Sequence, residues 1–106
     1  NLALSGNTQY TLTAMARVAN QGESFWLGVT DLVSTTNLGN TPITDTSYQL
    51  QTLTFTTANY AGERNHNIFI WNNGGGDYYA YDFDLVGQTI GPVLPTAIEL
   101  TSRSKD

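Results

Sequence analysis

The chain has 106 residues, which is room for one domain with a single hydrophobic core, and 40% of the residues are hydrophobic. It contains no cysteine, and this absence excludes disulfides and thiolate metal sites. No apolar run approaches the roughly 20 residues that are needed to span a bilayer. Only four basic residues oppose nine acidic ones, so the net charge of −5 disfavours nucleic acid and favours neutral ligands.

Two strands are predicted in the first third of the chain. Residues 9–19 have apolar side chains at alternate positions, which is the period of a half-buried strand. A hairpin turn at residues 20–23 leads into residues 24–31, where Leu27 and Val29 are predicted to point inward. The same alternation places Trp26 outward, and a large aromatic side chain at an exposed position suggests a function other than core packing.

The middle of the chain is predicted to alternate polar loops with a Thr-rich strand. Residues 34–42 and 59–67 are polar and are predicted as loops. Residues 48–57 are rich in β-forming threonine, with Leu53 and Phe55 as the predicted core pair.

The apolar segment at residues 68–71 predicts a central strand or one that lines a ligand surface. Its aliphatic face, Ile68 and Ile70, is the expected core side. Phe69 and Trp71 are therefore predicted to lie on the second surface.

A flexible turn with three glycines, residues 74–76, is predicted to lead into the last strand, residues 78–86. Strict alternation along this strand puts one set of side chains inward, namely Tyr79, Tyr81, Phe83 and Leu85. The opposite, outward set is Tyr78, Asp82 and Asp84.

The fold class predicted from these five strands is all-β, a β-sandwich or jelly roll of antiparallel strands. No segment has the periodicity of a helix. Residues 1–90 are predicted to form the module, and the proline-punctuated residues 91–106 a linker or the start of a following module.

A resemblance to a known family rests on the order and spacing of four segments, residues 7–14, 23–29, 48–57 and 76–86. Together they resemble the carbohydrate-binding modules of the CenC-like group, which are galactose-binding-like β-sandwiches. The resemblance implies a jelly roll that holds a glycan in a groove on its concave sheet. It also implies attachment to a secreted, bacterial glycoside hydrolase or polysaccharide lyase.

The chain departs from that family in two ways. Family members usually have further strands before the stretch that matches residues 1–8, so a neighbouring chain or module is expected to complete the sandwich, unless the fold is reduced. Many members also bind a structural calcium through an inward Asp, at a position where this chain has Tyr81. We therefore expect no cofactor, with a structural calcium as the alternative.

No pattern in the sequence carries catalytic chemistry. Asp82 and Asp84 have a spacing that a pair of glycosidase carboxylates could share, but nothing in the sequence tunes either one as a general acid. His66 is the only histidine and is predicted to lie at the surface, without a nucleophile motif. The glycine run lacks the Lys-Ser or Lys-Thr ending of a phosphate loop. An enzyme is not expected, and neither is a catalytic metal.

The aromatic residues are the one functional signal above background, because sugar rings pack on indole and phenol faces. We predict a non-catalytic module of a secreted protein that binds a neutral polysaccharide or oligosaccharide. The predicted ligand-binding residues are Trp26, Trp71, Phe69, Gln51, Arg64, Asn72, Tyr78 and Asp82.

A structural or adhesive role is the alternative prediction. In that role, an open sheet edge accepts a strand from a neighbouring chain and builds a filament or surface layer.

Overall fold

The computed structural model of the protein describes residues 2–72 and 74–90. It contains seven antiparallel strands, β1 (Leu2–Ser5), β2 (Thr8–Val18), β3 (Phe25–Asp31), β4 (Thr36–Ile43), β5 (Gln49–Thr56), β6 (Glu63–Trp71) and β7 (Tyr78–Thr89). They form a four-stranded sheet in the order β1-β6-β3-β4 and a three-stranded sheet in the order β5-β2-β7. The all-β sandwich is thus confirmed, and the finer jelly-roll assignment remains a prediction.

Within the described ranges no helix is long and apolar enough to cross a membrane. The predicted linker at residues 91–106 lies outside the described residues.

The hydrophobic core lies between the two sheets and is built mainly from alternate residues of two interior strands, β2 of the three-stranded sheet and β3 of the four-stranded sheet. Leu27 and Val29 of β3 have no exposed surface, and Leu12 and Val18 of β2 have almost none. Burying such side chains contributes about 1.5–3 kcal/mol each. Because the period of a strand is two, each buried residue forces its neighbours onto the outer surface of its sheet.

Two segments predicted as loops contain strands, so the loop prediction is wrong for most of residues 34–42 and for residues 63–67, and it is confirmed for residues 59–62. β4 covers most of residues 34–42 and is an edge strand, where Pro42 is tolerated because an edge leaves backbone N–H groups unpaired. β6 starts at Glu63, within the second predicted loop. In the first part of β6 the inward side chains are those of Arg64 and His66. Because both faces of this segment are polar, the sequence shows no alternation of apolar and polar residues.

A β-bulge in β7 overturns the predicted facing of the last strand. Thr13 pairs with Asp84 and Met15 pairs with Tyr81, so two residues of β7 stand opposite one residue of β2. Asp82 takes up the extra residue with a φ of 56°, in the left-handed region that Asp tolerates better than most residues. Alternation is reversed between the two ends of the strand.

The bulge moves the tyrosines of β7 relative to prediction. Tyr79 and Tyr81, predicted inward, lie on the outer surface of the three-stranded sheet, and Phe83 is also exposed. Tyr78, predicted outward, packs on Phe25, with ring centroids 5.2 Å apart.

A buried polar cluster at one end of the sandwich contains the only histidine. Asp31 is buried and accepts backbone N–H bonds from Val33 and Ser34 at 2.9 and 3.3 Å. Its second oxygen lies 3.4 Å from Nη1 of Arg64 and 4.0 Å from Nε2 of His66. His66 is fully buried and its Nδ1 lies 2.9 Å from the Arg64 carbonyl, so the predicted surface position is wrong.

Burial by itself would raise the pKa of the Asp31 carboxyl, but the N–H donors of Val33 and Ser34, together with His66, hold this pKa below its ordinary value of 3.8. The charged form is therefore favoured in the folded state. The charged Asp31 carboxylate makes its full contribution to the free energy of unfolding above the pKa that this group has in the unfolded chain. The contribution is lost as pH falls through the lower pKa of the folded state.

We predict that Asp31→Asn lowers the free energy of unfolding at pH 7 by about 1–3 kcal/mol, because the buried donors lose a charged acceptor. The difference from the wild type should narrow as pH falls below 3.8. Urea unfolding across this range measures both effects. The exposed Asp45→Asn serves as the matched control, and a difference for Asp31→Asn that does not change with pH would contradict the assignment.

Candidate functional site

Three large aromatic side chains lie together on the outer surface of the four-stranded sheet. Trp26 of β3 stands opposite Trp71 of β6, and Gly28 of β3 stands opposite Phe69 of β6. Trp26 is 37% exposed and Trp71 54% exposed. The outward positions of all three aromatic residues agree with the alternation predicted from the sequence. We call the outer surface around Trp26, Phe69 and Trp71 the aromatic face.

Gly28 shapes the floor of this face. A Cβ atom at this position would overlap the ring of Phe69, so the ring lies directly above the Gly28 backbone. The missing side chain lets Phe69 lie across β3 instead of standing away from it.

Polar side chains from three strands surround the aromatic rings. Thr30 of β3 stands opposite Asn37 of β4 on one side and Asn67 of β6 on the other, while Asn40 stands opposite Gly28. These four residues line a depression of about 640 Å³ together with Trp26, Phe69, Ile70 and Trp71. An amide group both donates and accepts hydrogen bonds, so the rim suits a ligand with many hydroxyl groups.

A second concavity lies on the other side of Trp26. This glycine-turn cleft has a volume of about 490 Å³ and is lined by Gly22, Glu23, Ser24, Trp26, Asn72, Gly74, Gly75 and Gly76. Asn72 holds the turn closed, since its Nδ2 donates to the Gly75 carbonyl and its Oδ1 accepts the Gly75 N–H. Because Trp26 lines both concavities, they are adjacent parts of one surface.

Half of the predicted ligand-binding residues lie away from this surface. Gln51 stands opposite Ala14 in the three-stranded sheet, and Asp82 occupies the bulge of β7. Arg64 points inward to Asp31, and Tyr78 packs on Phe25. Only Trp26, Phe69, Trp71 and Asn72 are brought together.

The sequence interpretation missed the polar rim of the aromatic face. Asn37 and Asn40 fell in a predicted loop, and Asn67 stood at the end of another. Recognising β4 as an edge strand paired with β3 would have placed its two asparagines opposite Gly28 and Thr30, along the border of the aromatic face.

The lining of the aromatic face carries no charged side chain among the described residues. The two arginines in the described part of the chain are engaged elsewhere. The guanidinium of Arg17 lies 4.4 Å from the ring centroid of Tyr79 on the other sheet, and that of Arg64 lies 4.2 Å from Tyr60. The described lining of the face therefore presents aromatic, aliphatic, amide and hydroxyl groups and no charged group.

The described residues contain no group of three or more His, Asp or Glu side chains that could hold a metal ion. Tyr81, which the resemblance aligns with a calcium-ligating Asp of the CenC-like modules, points outward instead of inward because of the bulge. The predicted alternative of a structural calcium gains no ligand set from these residues.

No family model matches the sequence, and no characterised protein or solved structure matches the chain. The resemblance to the CenC-like modules therefore remains a prediction.

We predict that Gly28→Ala lowers the free energy of unfolding by about 1–3 kcal/mol, because the added methyl group collides with the Phe69 ring. In a Phe69→Ala background the same substitution should cost much less. The difference between the two costs, which is the coupling energy of the two residues, should be about 0.5–3 kcal/mol. Urea unfolding of the four proteins completes the cycle. An equal cost in both backgrounds would show that the ring does not lie over Gly28.

Proposed function

We propose that the chain is a non-catalytic module that binds a neutral polysaccharide on its aromatic face. The observation that carries the proposal is the grouping of Trp26, Phe69 and Trp71 on one exposed surface, bordered by asparagine and threonine side chains. The C–H faces of sugar rings pack on flat aromatic rings, and sugar hydroxyls pair with amide groups.

The charge distribution supports a neutral ligand. A uronic-acid or sulfated glycan needs cationic partners, and the described lining of the aromatic face supplies none. Arg17 and Arg64 are held by tyrosine rings and by Asp31 at other places in the molecule. An anionic glycan would also be repelled by the protein, whose net charge is −5.

The proposed module binds substrate and leaves the chemistry to another domain. Hydrolysis of a glycosidic bond requires a pair of carboxyl groups that flank it, and the described lining of the aromatic face has no carboxylate. Attached to a secreted carbohydrate-active enzyme, the module would raise the local concentration of substrate at the catalytic domain.

Trp26→Ala and Trp71→Ala test the proposal. Each should weaken binding to neutral glycans by roughly tenfold or more, because the loss of a stacking indole costs about 1–3 kcal/mol. Retardation in affinity gels containing neutral polysaccharides, followed by titration calorimetry, measures the change. Tyr79→Ala is the matched control, since Tyr79 is similarly exposed but lies on the other sheet. Unchanged retardation in both Trp variants would overturn the site.

One observation favours the structural or adhesive role as a second candidate. Among the described strands β7 pairs with β2 alone, so one edge of this strand is unpaired, and Phe83 and Val86 are exposed along it. Antiparallel pairing with an identical β7 centred on Phe83 would place Asp82 opposite Asp84, which is unfavourable. An identical β7 would therefore have to pair in another register, or the partner strand would have to be a different one.

The two candidates differ in the state expected in solution. The binding module should elute as a monomer in size-exclusion chromatography and should retain glycan binding in that fraction. An oligomer that binds no sugar would instead support assembly through β7.

A further inference from the structure

The glycine-turn cleft beside Trp26 contains a carboxylate that is held in place. Glu23 is half-buried, and its Oε1 accepts the Asn20 backbone N–H at 2.8 Å. Its Oε2 lies 3.4 Å from Nδ2 of Asn20 and so close to Gly76 that a Cβ atom there would overlap it. The carboxylate is therefore fixed at the wall of the cleft, and the absence of a side chain at Gly76 makes room for it.

This carboxylate has no cationic partner among residues 2–72 and 74–90. The ion pairs of that part of the chain join Asp31 to Arg64 and His66, at the polar cluster already described. The two oxygens of a carboxylate accept about four hydrogen bonds, and the Asn20 contacts use two of them. The Glu23 carboxylate can therefore accept further hydrogen bonds, and it faces a cleft that is also lined by the indole ring of Trp26.

We infer that the glycine-turn cleft is a subsite for the protonated amino group of an amino sugar unit. A carboxylate accepts strong hydrogen bonds from an ammonium group, and an indole face attracts the same cation. Trp26 belongs both to this cleft and to the aromatic face, so a chain stacked on that face extends into the cleft. The inference rests on the proposed function: sugar units stacked on the aromatic face remain neutral, whereas the unit in the cleft carries a protonated amino group.

The inference is tested by comparing oligomers of glucosamine with oligomers of N-acetylglucosamine of the same length, at a pH where the amine is protonated. The wild type should bind the glucosamine oligomer about tenfold more tightly, the scale of one charge-assisted hydrogen bond. This preference should shrink as salt is added, because an exposed charge pair is screened. Titration calorimetry measures both affinities.

Glu23→Gln removes the charge and keeps an oxygen that can accept the Asn20 N–H. We expect this variant to lose the preference for glucosamine while its affinity for the acetylated oligomer stays within about twofold of wild type. Glu63→Gln is the matched control, since Glu63 is an exposed glutamate at the start of β6 and does not line the cleft. It should retain the preference.

Two results separate this inference from the proposed function. If the wild type binds both oligomers equally, or if Glu23→Gln weakens both alike, the amine subsite is wrong while glycan binding on the aromatic face stands. If no neutral or amino glycan binds, the proposed function is wrong and the subsite with it.

Discussion

The burial of alternate side chains of β3 is the constraint on which the candidate site depends. Leu27 and Val29 have no exposed surface, and each is flanked by residues that must point the opposite way. Trp26 and Gly28 are therefore directed outward by the core and not by any interaction of their own. The register with β6 then places Trp71 and Phe69 beside them. A slip of one residue would bury the indole and expose the core side chains, so the same hydrophobic packing fixes both the fold and the position of the aromatic face.

The three-stranded sheet shows how one extra residue changes a surface. The bulge at Asp82 and Phe83 reverses the alternation of β7, so that Leu85 remains opposite Leu12 in the interior while Tyr79 and Tyr81 turn outward. Without the bulge the two tyrosines would compete with β2 side chains for the core. The exposed tyrosines of this sheet are thus a consequence of strand geometry and need no ligand to explain them.

The parts of the fold that the sequence predicted are those where alternation is strict and apolar. β2 and β3 meet that condition, and the outward position of Trp26 followed from it. β4 failed because Asn, Gly and Pro give it the composition of a loop, although an edge strand tolerates all three. β7 was predicted as a strand, but the facing of its side chains was wrong because a bulge stabilised by pairing with a distant strand leaves no pattern in the local sequence. The sequence did not predict the polar rim because the asparagines of β4 come to lie opposite Gly28 and Thr30 only through pairing across strands.

The two outer surfaces of the sandwich both carry aromatic residues, but their rings are used differently. On the three-stranded sheet Tyr48 packs edge-on against Tyr81 at 4.9 Å, and Arg17 covers Tyr79 and Tyr48. Those ring faces are occupied by other side chains of the protein.

On the four-stranded sheet, none of the ring-to-ring or arginine-to-ring contacts of the described residues involves Trp26, Phe69 or Trp71. Apart from the contact of the Phe69 ring with the Gly28 backbone, no such contact covers these rings, and a stacked ligand would remove the cost of their exposed apolar area. Exposed aromatic area alone does not separate the two surfaces, whereas the availability of the ring faces does. This difference is the physical reason why the proposed binding site is on the four-stranded sheet.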